Sequence, residues 1–229
     1  MPGEPPDLSI VLPCRDQGDH IAAALHAFQE TLEPVRRPYE LVVVPNACAD
    51  DTGNIVASLA ARDERVRMVA LREGGWGRAV RCGLAAARGE ILCFANSART
   101  DPAHVVELLA VYERNAPCLA KVQRSRRVTS LRRLGSTLYN LEARAMFSIA
   151  ATDVNGTPKM FSRDLWGQLR LRSPGDLLDL ELLAQATRLG TPIVEMPIAS
   201  LARRGGRSTT TLWSAVKMYA GAVALRCSR

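Results

Sequence analysis

The chain has 229 residues, of which 47% are hydrophobic and 23% are charged. These fractions exclude a disordered chain and leave room for one large α/β domain or two small ones. The formal net charge is +7, and lysine occurs only at Lys121, Lys159 and Lys217, so arginine carries nearly all of the positive charge. A basic chain suits nucleic acid, an anionic membrane surface or a phosphorylated small molecule, and composition leaves all three open.

The six cysteines lie far apart, without a C-x-x-C pair and without histidines at metal-ligand spacing. We therefore predict free thiols in a reducing compartment. The N-terminus is polar and proline-rich and has no apolar signal-peptide segment, and no run approaches the roughly 18 apolar residues of a membrane span. We expect a cytoplasmic protein.

In chain order, the first half alternates apolar runs with helical segments. The run at 8–12 is closed by Pro13 and the run at 40–44 by Pro45, and each has the length and composition of a buried strand. Asp19 and Asp51 are N-cap candidates for the helical segments that follow. The predicted strands are 8–12, 40–44, 65–71 and 91–95, and the predicted helices are 20–32, 51–62, 77–88 and 102–114.

Strands and helices that alternate in this way are typical of βαβ units in a parallel sheet. In such a sheet, ligands bind beyond the carboxyl ends of the strands, where the connecting loops gather. We therefore expect the functional site at four loops, which are Pro13–Asp19, Pro45–Asp51, Glu73–Arg78 and Asn96–Asp101.

The second half is less regular. Its predicted segments are an arginine-rich stretch at 124–133 that leads into a helix to about Ile149, a turn and strand over 153–161, a helix over 177–189, a strand over 192–199, a Gly-Arg loop at 203–208 and a final helix over 211–226. We expect this amphipathic final helix to pack on the sheet rather than lie on a membrane surface. The sequence has no evident repeat, linker or domain boundary, which predicts a single domain over residues 1–229.

The order and spacing of six segments resemble those of family 2 glycosyltransferases, especially the branch that transfers sugars to dolichol or polyprenyl phosphate. These segments are Pro13–Gln17, Pro45–Thr52, Gly75–Glu90, Asp153–Lys159, Leu178–Leu182 and Arg203–Ser208. The resemblance implies the GT-A fold, a mostly parallel, Rossmann-like α/β sheet flanked by helices. It also implies a nucleotide-sugar-binding half at 1–115 and an acceptor-binding half at 116–229.

The activity implied by the resemblance is transfer of a sugar from a UDP-, GDP- or dTDP-sugar to a phosphate or hydroxyl acceptor, with inversion. The acceptor would be a small molecule or a polyprenyl phosphate, and the latter implies peripheral contact with a membrane. Nucleic-acid binding is disfavoured because the arginines are not interleaved with aromatic residues that stack on bases.

Three loops of the expected nucleotide site depart from the family pattern. The fourth strand is followed by Asn96-Ser97-Ala98 where the family has Asp-x-Asp, Pro45-Asn46 replaces an Asp pair, and Arg15 replaces a Tyr. Mg²⁺ and Mn²⁺ prefer carboxylate oxygens. We therefore expect a metal-independent enzyme with no cofactor, in which Arg99, with Arg15 or Arg78, stabilises the negative charge on the leaving pyrophosphate.

The candidate catalytic residues are Asp179, Arg99 and Asp153. By resemblance, Asp179 takes the proton of an acceptor hydroxyl, and Glu181 lies two positions further along the same helix, so the two cannot both face the site. The candidate nucleotide-sugar-binding residues are Pro13, Arg15, Gln17, Asn46, Gly75, Gly77, Arg78, Asn96, Ser97 and Ala98. The candidate phosphate- or acceptor-binding residues are Arg124, Arg203, Arg204, Arg207 and Ser208.

Each candidate also has a plainer interpretation. Gly75 and Gly77 precede a helix whose N-terminal N–H groups attract anions, but glycines would equally serve a tight turn. The arginines bind phosphate well, but they would equally be solvated surface charges. The alternative for the whole chain is a catalytically inactive relative that binds a nucleotide sugar, a lipid phosphate or a partner enzyme. A nucleotidyltransferase is disfavoured, because that class also relies on metal-binding carboxylates.

Overall fold

The computed structural model describes residues 5–125 and 146–199. The arginine-rich segment beyond residue 125, the predicted loop at 203–208 and the predicted helix over 211–226 lie outside the described residues. The described strands are β1 (Leu8–Cys14), β2 (Tyr39–Pro45), β3 (Val66–Met68), β4 (Ile91–Phe94), β5 (Leu119–Ser125), β6 (Lys159–Ser162) and β7 (Ile193–Ala199). The described helices are α1 (Ile21–Leu32), α2 (Thr52–Ala60), α3 (Trp76–Ala86), α4 (Pro102–Asn115), α5 (Arg163–Gln168) and α6 (Leu178–Arg188), with a short 3₁₀ turn at Glu33–Val35.

The strands form a seven-stranded sheet in the order β3-β2-β1-β4-β6-β5-β7. Adjacent strands are parallel except at β6, which runs antiparallel to both β4 and β5. The predicted α/β class with a mostly parallel sheet is therefore confirmed. The sequence analysis did not predict β5, whose apolar residues are interrupted by Lys121.

Helices cover both faces of the sheet, which explains why β1 and β2 are buried along their whole length. The alternation of side chains along β1 sends Ile10 and Leu12 into one core with Phe28 of α1. It sends Val11 into the opposite core with Leu84 of α3. The sheet is thus fixed from both sides, and its loops lie at its edges.

The helix starts agree with the prediction at Asp51 and differ from it at Asp19. Asp101 caps α4 as its side chain accepts a hydrogen bond from the backbone N–H of Ala103, and Pro102 occupies the first helical position. Asp19 does not cap α1, because its carboxylate binds the ring of His20, which occupies the N-cap position. Asp51 does occupy the N-cap position of α2, but its side chain binds Asn54 instead of a backbone N–H.

We predict that Gly83→Ala lowers the free energy of unfolding by about 1–3 kcal/mol, the usual cost of overpacking a core. Gly83 brings α3 against the sheet so closely that an added Cβ would lie 2.3 Å from Cγ1 of Val11 and 3.0 Å from Cγ2 of Val44. Urea unfolding measures the change. Gly53→Ala in α2 is the matched control, because an added Cβ there meets nothing within 4 Å. Equal effects of the two substitutions would contradict this packing.

Candidate active site

The carboxyl edge of the sheet, where β1, β2 and β4 end, gathers the loops that the sequence predicted to meet. Because β6 is antiparallel, its first residue lies at this same edge, and Lys159 pairs in register with Phe94 at the end of β4. The first turns of α3 and α6 also reach this edge, since Trp76 of α3 and Lys159 both contact Asp179 of α6. Six separate parts of the chain therefore form one candidate site.

Hydrogen bonds tie the loop after β1 to the loop after β2. The carboxylate of Asp16 accepts from the backbone N–H of Ala49 at 2.7 Å, and that of Asp50 accepts from the backbone N–H of Gly18 at 2.8 Å. Burial would raise the pKa of Asp50, but hydrogen bonds from Thr52 and Gly18 outweigh it and lower the pKa. Both carboxylates thus fix the shape of the two loops.

The loop after β4 is tied to the loop after β1 through Ser97. Its hydroxyl lies 2.9 Å from the carbonyl oxygen of Pro13 and 2.8 Å from Oε1 of Gln17. Ser97 is 1% exposed and Gln17 is 5% exposed, so the hydrogen bond between them joins the two loops in the protein interior. Oδ1 of Asn96 accepts from the backbone N–H of Ala98 at 3.1 Å, which makes a local turn. Binding of a nucleotide sugar by these residues stays a prediction.

Asn46 joins three parts of the carboxyl edge. Its Nδ2 donates to the carbonyl oxygen of Cys14 at 2.8 Å, and its Oδ1 accepts from the backbone N–H of Gly75 at 3.2 Å. The side chain is buried and both of its ends are engaged, so Asn46 positions the ends of β1, β2 and the start of α3. A contact between Asn46 and a nucleoside stays a prediction.

The N-terminus of α3, which the sequence suggested as an anion site, is covered by the loop at 173–175. The backbone N–H of Arg78 donates to the carbonyl oxygen of Pro174 at 3.0 Å. A Cβ on Gly77 would lie 2.3 Å from the carbonyl oxygen of Ser173, so glycine is needed for this close approach. Carbonyl oxygens thus lie where the sequence predicted an anion, and the binding roles of Gly75, Gly77 and Arg78 stay predictions.

Asp179 lies in the first turn of α6, with both carboxylate oxygens engaged. Oδ1 accepts from Nζ of Lys159 at 2.5 Å, and Oδ2 accepts from Nε1 of Trp76 at 3.0 Å. Lys159 is 0% exposed and lies 5.5 Å from the ring centroid of Phe94. Glu181 has a different partner, as its carboxylate accepts from the backbone N–H groups of Arg172 and Ser173.

Asp153 forms an ion pair with Arg124 near the end of β5. Arg124 donates to both of its oxygens, at 2.8 Å from Nε and 2.9 Å from Nη2. Lys121 donates to Oε1 of Glu195 at 2.8 Å, and Glu195 in turn accepts from the backbone N–H of Asp153. Burial and the charge of Lys159 lower the pKa of Lys121 to about 8, although Glu195 acts in the opposite direction. Asp153 is therefore one member of a buried ionic network.

Four residues at this edge were not predicted to be functional, namely Lys121, Lys159, Trp76 and Glu195. One signal was available, because the chain has three lysines and two of them lie in this network. Lysine is rarely buried unless it is paired, so a lone lysine within an apolar run such as β5 indicates an acidic partner. The identity of that partner depends on contacts between distant parts of the chain.

The candidate arginines fall into two groups. Arg15 and Arg99 are exposed on the loops after β1 and β4, and Arg78 binds Glu73 and the carbonyl oxygen of Gly74. The remaining phosphate-binding candidates of the second half, which are Arg203, Arg204, Arg207 and Ser208, lie outside the described residues. The structure therefore brings Arg15 and Arg99 to one edge without testing their roles.

A group that could hold a metal ion lies on the loops after β1 and β2. Ligand atoms of Asp16, Cys48 and Asp50 all lie within 4.8 Å of one another. Carboxylate oxygens suit Mg²⁺ and Mn²⁺, and they are supplied here by loops next to the triplet Asn96-Ser97-Ala98, which itself offers none. The two carboxylates fit a hard divalent cation, and Cys48 adds a softer sulfur donor.

Comparison with known families identifies the class of protein. Residues 9–169 match the family described as Glycosyl transferase family 2. The chain therefore belongs to family 2 of the glycosyltransferases, and the resemblance inferred from its motifs is confirmed.

Two curated relatives are sugar transferases, and the name of one of them gives undecaprenyl phosphate as its acceptor. The chain is 29% identical over 203 residues to glycosyltransferase AglD of Haloferax volcanii, covering 84% of this chain and 32% of the relative. It is 22% identical over 161 residues to an undecaprenyl-phosphate 4-deoxy-4-formamido-L-arabinose transferase of Pseudomonas fluorescens, covering 69% of this chain and 48% of the relative. The chain thus spans about a third to a half of the length of these two proteins.

Solved structures show the same fold. A glucosyl-3-phosphoglycerate synthase from Mycobacterium tuberculosis, crystallised with Mn²⁺, UDP and its product, has a TM-score of 0.73 and 20% identity, covering 97% of this chain and 80% of that one. The same enzyme with Mg²⁺ and UDP has a TM-score of 0.72 and 21% identity, with the same coverage. The predicted GT-A fold is confirmed. Within the described residues, no helix is long and apolar enough to cross a membrane.

The expectation of no metal cofactor is wrong. The similar structures hold Mn²⁺ or Mg²⁺ together with UDP, and the described residues include the group Asp16, Cys48 and Asp50. The expectation was based on the carboxylates missing from the triplet after β4 and from the pair Pro45-Asn46. The group was missed because Asp16 comes from one loop and Cys48 and Asp50 come from another, and these loops meet only in the folded chain.

We predict that the ionised carboxylate of Asp153 raises the free energy of unfolding at neutral pH, and that this contribution is lost as the pH falls. Burial alone would raise its pKa, but the hydrogen bonds and charge of Arg124, with the charge of Lys121, lower the pKa from 3.8 to about 2. A pKa that is lower in the folded state stabilises the fold above the unfolded value and loses this effect as the pH falls through the folded value. We expect about 2 kcal/mol to be lost between about pH 4 and pH 2.

Urea unfolding of the wild type and of Asp153→Asn across this range measures the effect. The difference in unfolding free energy between the two should shrink as the pH falls. Asp164→Asn, at an exposed carboxylate of α5, is the control for loss of an acidic side chain. If the difference in unfolding free energy between the wild type and Asp153→Asn is constant from pH 6 to pH 2, the assignment of this ion pair is contradicted.

Proposed function

We propose that this chain is a catalytic domain that transfers a sugar from a nucleotide-sugar donor to a phosphate-bearing or hydroxyl acceptor. One observation carries the proposal: the carboxyl edge joins the loops at 13–19, 45–51 and 96–101 through hydrogen bonds. A carboxylate, Asp179, is held at the same edge. Ligand sites of open α/β sheets lie at such an edge, and the family match covers the three loops.

The donor side of the site is formed by the loops after β1, β2 and β4. UDP is the first nucleotide to test, because the similar structures contain it. A divalent cation held by Asp16, Cys48 and Asp50 would neutralise negative charge on the pyrophosphate. Arg15 and Arg99, which are exposed on the same loops, would add charge-assisted hydrogen bonds to the donor phosphates.

The acceptor side of the site is formed by the second half of the chain. Arg124 uses Nε and Nη2 to bind Asp153, and its side chain is 35% exposed at the end of β5. Its guanidinium is thus pre-oriented by Asp153 and suited to a phosphate. A polyprenyl phosphate agrees with the name of the relative from Pseudomonas fluorescens, and a phosphorylated small molecule has the same chemistry.

The transfer we propose is a single displacement with inversion. An acceptor oxygen forms a bond to the anomeric carbon of the sugar while the bond to the nucleoside diphosphate breaks, and the electron pair leaves with the diphosphate. Asp179 takes the proton if the acceptor is a hydroxyl. A phosphate acceptor is already ionised and needs no base.

A second candidate is a non-catalytic relative that binds the same ligands. Two features of the triplet Asn96-Ser97-Ala98 favour it. The triplet lacks carboxylates, and Ser97 is buried in contacts with the loop after β1. This candidate binds a nucleotide sugar without turning it over.

We predict that one of UDP-, GDP- and dTDP-sugars raises the melting temperature, and that it does so more with Mn²⁺ or Mg²⁺ than with EDTA. A ligand that binds the folded state stabilises it by mass action, by about 2.7 kcal/mol at 100 times its dissociation constant. A thermal-shift screen measures this. ATP is the control for non-specific binding of phosphates to a chain with a net charge of +7.

Turnover is measured with the donor that binds. Release of the nucleoside diphosphate in the presence of a polyprenyl phosphate or a small acceptor would support the enzyme. Binding without release in any condition would favour the second candidate, and no shift with any nucleotide sugar would contradict both.

A further inference from the structure

We propose that Lys159 and Trp76 are positioning residues that hold the carboxylate of Asp179 for proton transfer. This inference rests on the proposed glycosyl transfer. The two residues reach Asp179 from different elements, since Lys159 begins β6 and Trp76 begins α3. Each binds a different oxygen of the carboxylate.

Lys159 is placed so that it acts through Asp179 rather than on a ligand. Its side chain is 0% exposed, and its ammonium lies over the ring of Phe94 and donates to Asp179. A buried ammonium is stable in the folded chain only when it is paired. Burial lowers the pKa of Lys159, and the charge of Asp179 and its hydrogen bond act in the opposite direction.

Trp76 fixes the second oxygen of the carboxylate. Its indole ring packs edge-on against Phe94 with centroids 6.2 Å apart, and Phe94 packs in the same way against Phe161 at 6.5 Å. This aromatic packing sets the direction of the N–H bond that reaches Oδ2 of Asp179. The backbone N–H of Gly75, next to Trp76, binds Asn46, so the same turn is also linked to the loop after β2.

The two contacts leave Asp179 able to accept a further proton. An ionised carboxylate has about four lone-pair positions on its two oxygens, and Lys159 and Trp76 occupy two of them. With both oxygens held, the carboxylate cannot rotate freely about its Cβ–Cγ bond. The remaining positions therefore have a fixed direction, which is the requirement for efficient general base catalysis.

The test is kinetic and compares Trp76→Phe, Lys159→Met and Lys159→Arg with the wild type, using a hydroxyl acceptor. Hydrogen bonds to charged groups are worth about 1.5–3 kcal/mol, so we expect kcat to fall about 10- to 100-fold in Trp76→Phe and at least as far in Lys159→Met. KM for the donor should stay within about twofold, because the loops after β1, β2 and β4 are not altered. Lys159→Arg should restore part of the kcat that Lys159→Met loses.

Trp166→Phe is the matched control, because Trp166 lies on α5 and is only partly buried against the core. We expect its kcat to be unchanged. Trp76→Phe keeps an aromatic ring in the packing with Phe94, so it remains informative even if Lys159→Met does not fold. The donor-induced thermal shift of each variant reports whether the donor loops are intact.

Wild-type kcat in both Trp76→Phe and Lys159→Met would overturn this inference while leaving the proposed function in place. A fall in kcat accompanied by a loss of the donor-induced thermal shift would also overturn it, because it would show general damage to the site. Failure of the wild type to turn over any donor would overturn the proposed function, and this inference with it.

Discussion

The site depends on the antiparallel strand between β4 and β5. A parallel strand at this place would begin at the opposite edge of the sheet, far from the loops after β1, β2 and β4. Because β6 runs the other way, Lys159 at its first position lies beside Phe94 at the carboxyl edge. Its buried ammonium requires a carboxylate, and Asp179 supplies it. One ion pair thus fixes α6 to the sheet and places Asp179 at the site.

Other cationic side chains on the neighbouring strands are also paired with carboxylates. Lys121 of β5 is paired with Glu195 of β7, and Arg124 of β5 is paired with Asp153 in the turn that leads to β6. Three cationic and three anionic side chains are joined in this way, namely Lys121, Arg124, Lys159, Asp153, Asp179 and Glu195. Removing Glu195 or Asp179 leaves a buried lysine without a counter-charge, which costs about 3–5 kcal/mol. Ion pairs therefore join β5, β6, β7, α6 and the turn at Asp153 beside the candidate site.

The first half of the fold could be predicted from the sequence because its signals are local. Apolar runs closed by Pro13 and Pro45 predicted β1 and β2. The ionic network could not be predicted, because its contacts join residues as far apart as Lys121 and Glu195. The metal expectation failed for the same reason. Cys48 and Asp50 share one loop, and Asp16 approaches them only because β1 and β2 are adjacent and parallel.

The central claim is that a nucleotide-sugar donor binds at the carboxyl edge among the loops at 13–19, 45–51 and 96–101. The most direct test is a crystal structure of the chain with UDP and Mn²⁺. We predict that the diphosphate contacts these three loops and lies on the same edge as Asp179. A nucleotide bound at the opposite edge of the sheet, or held by surface arginines away from these loops, would contradict the account.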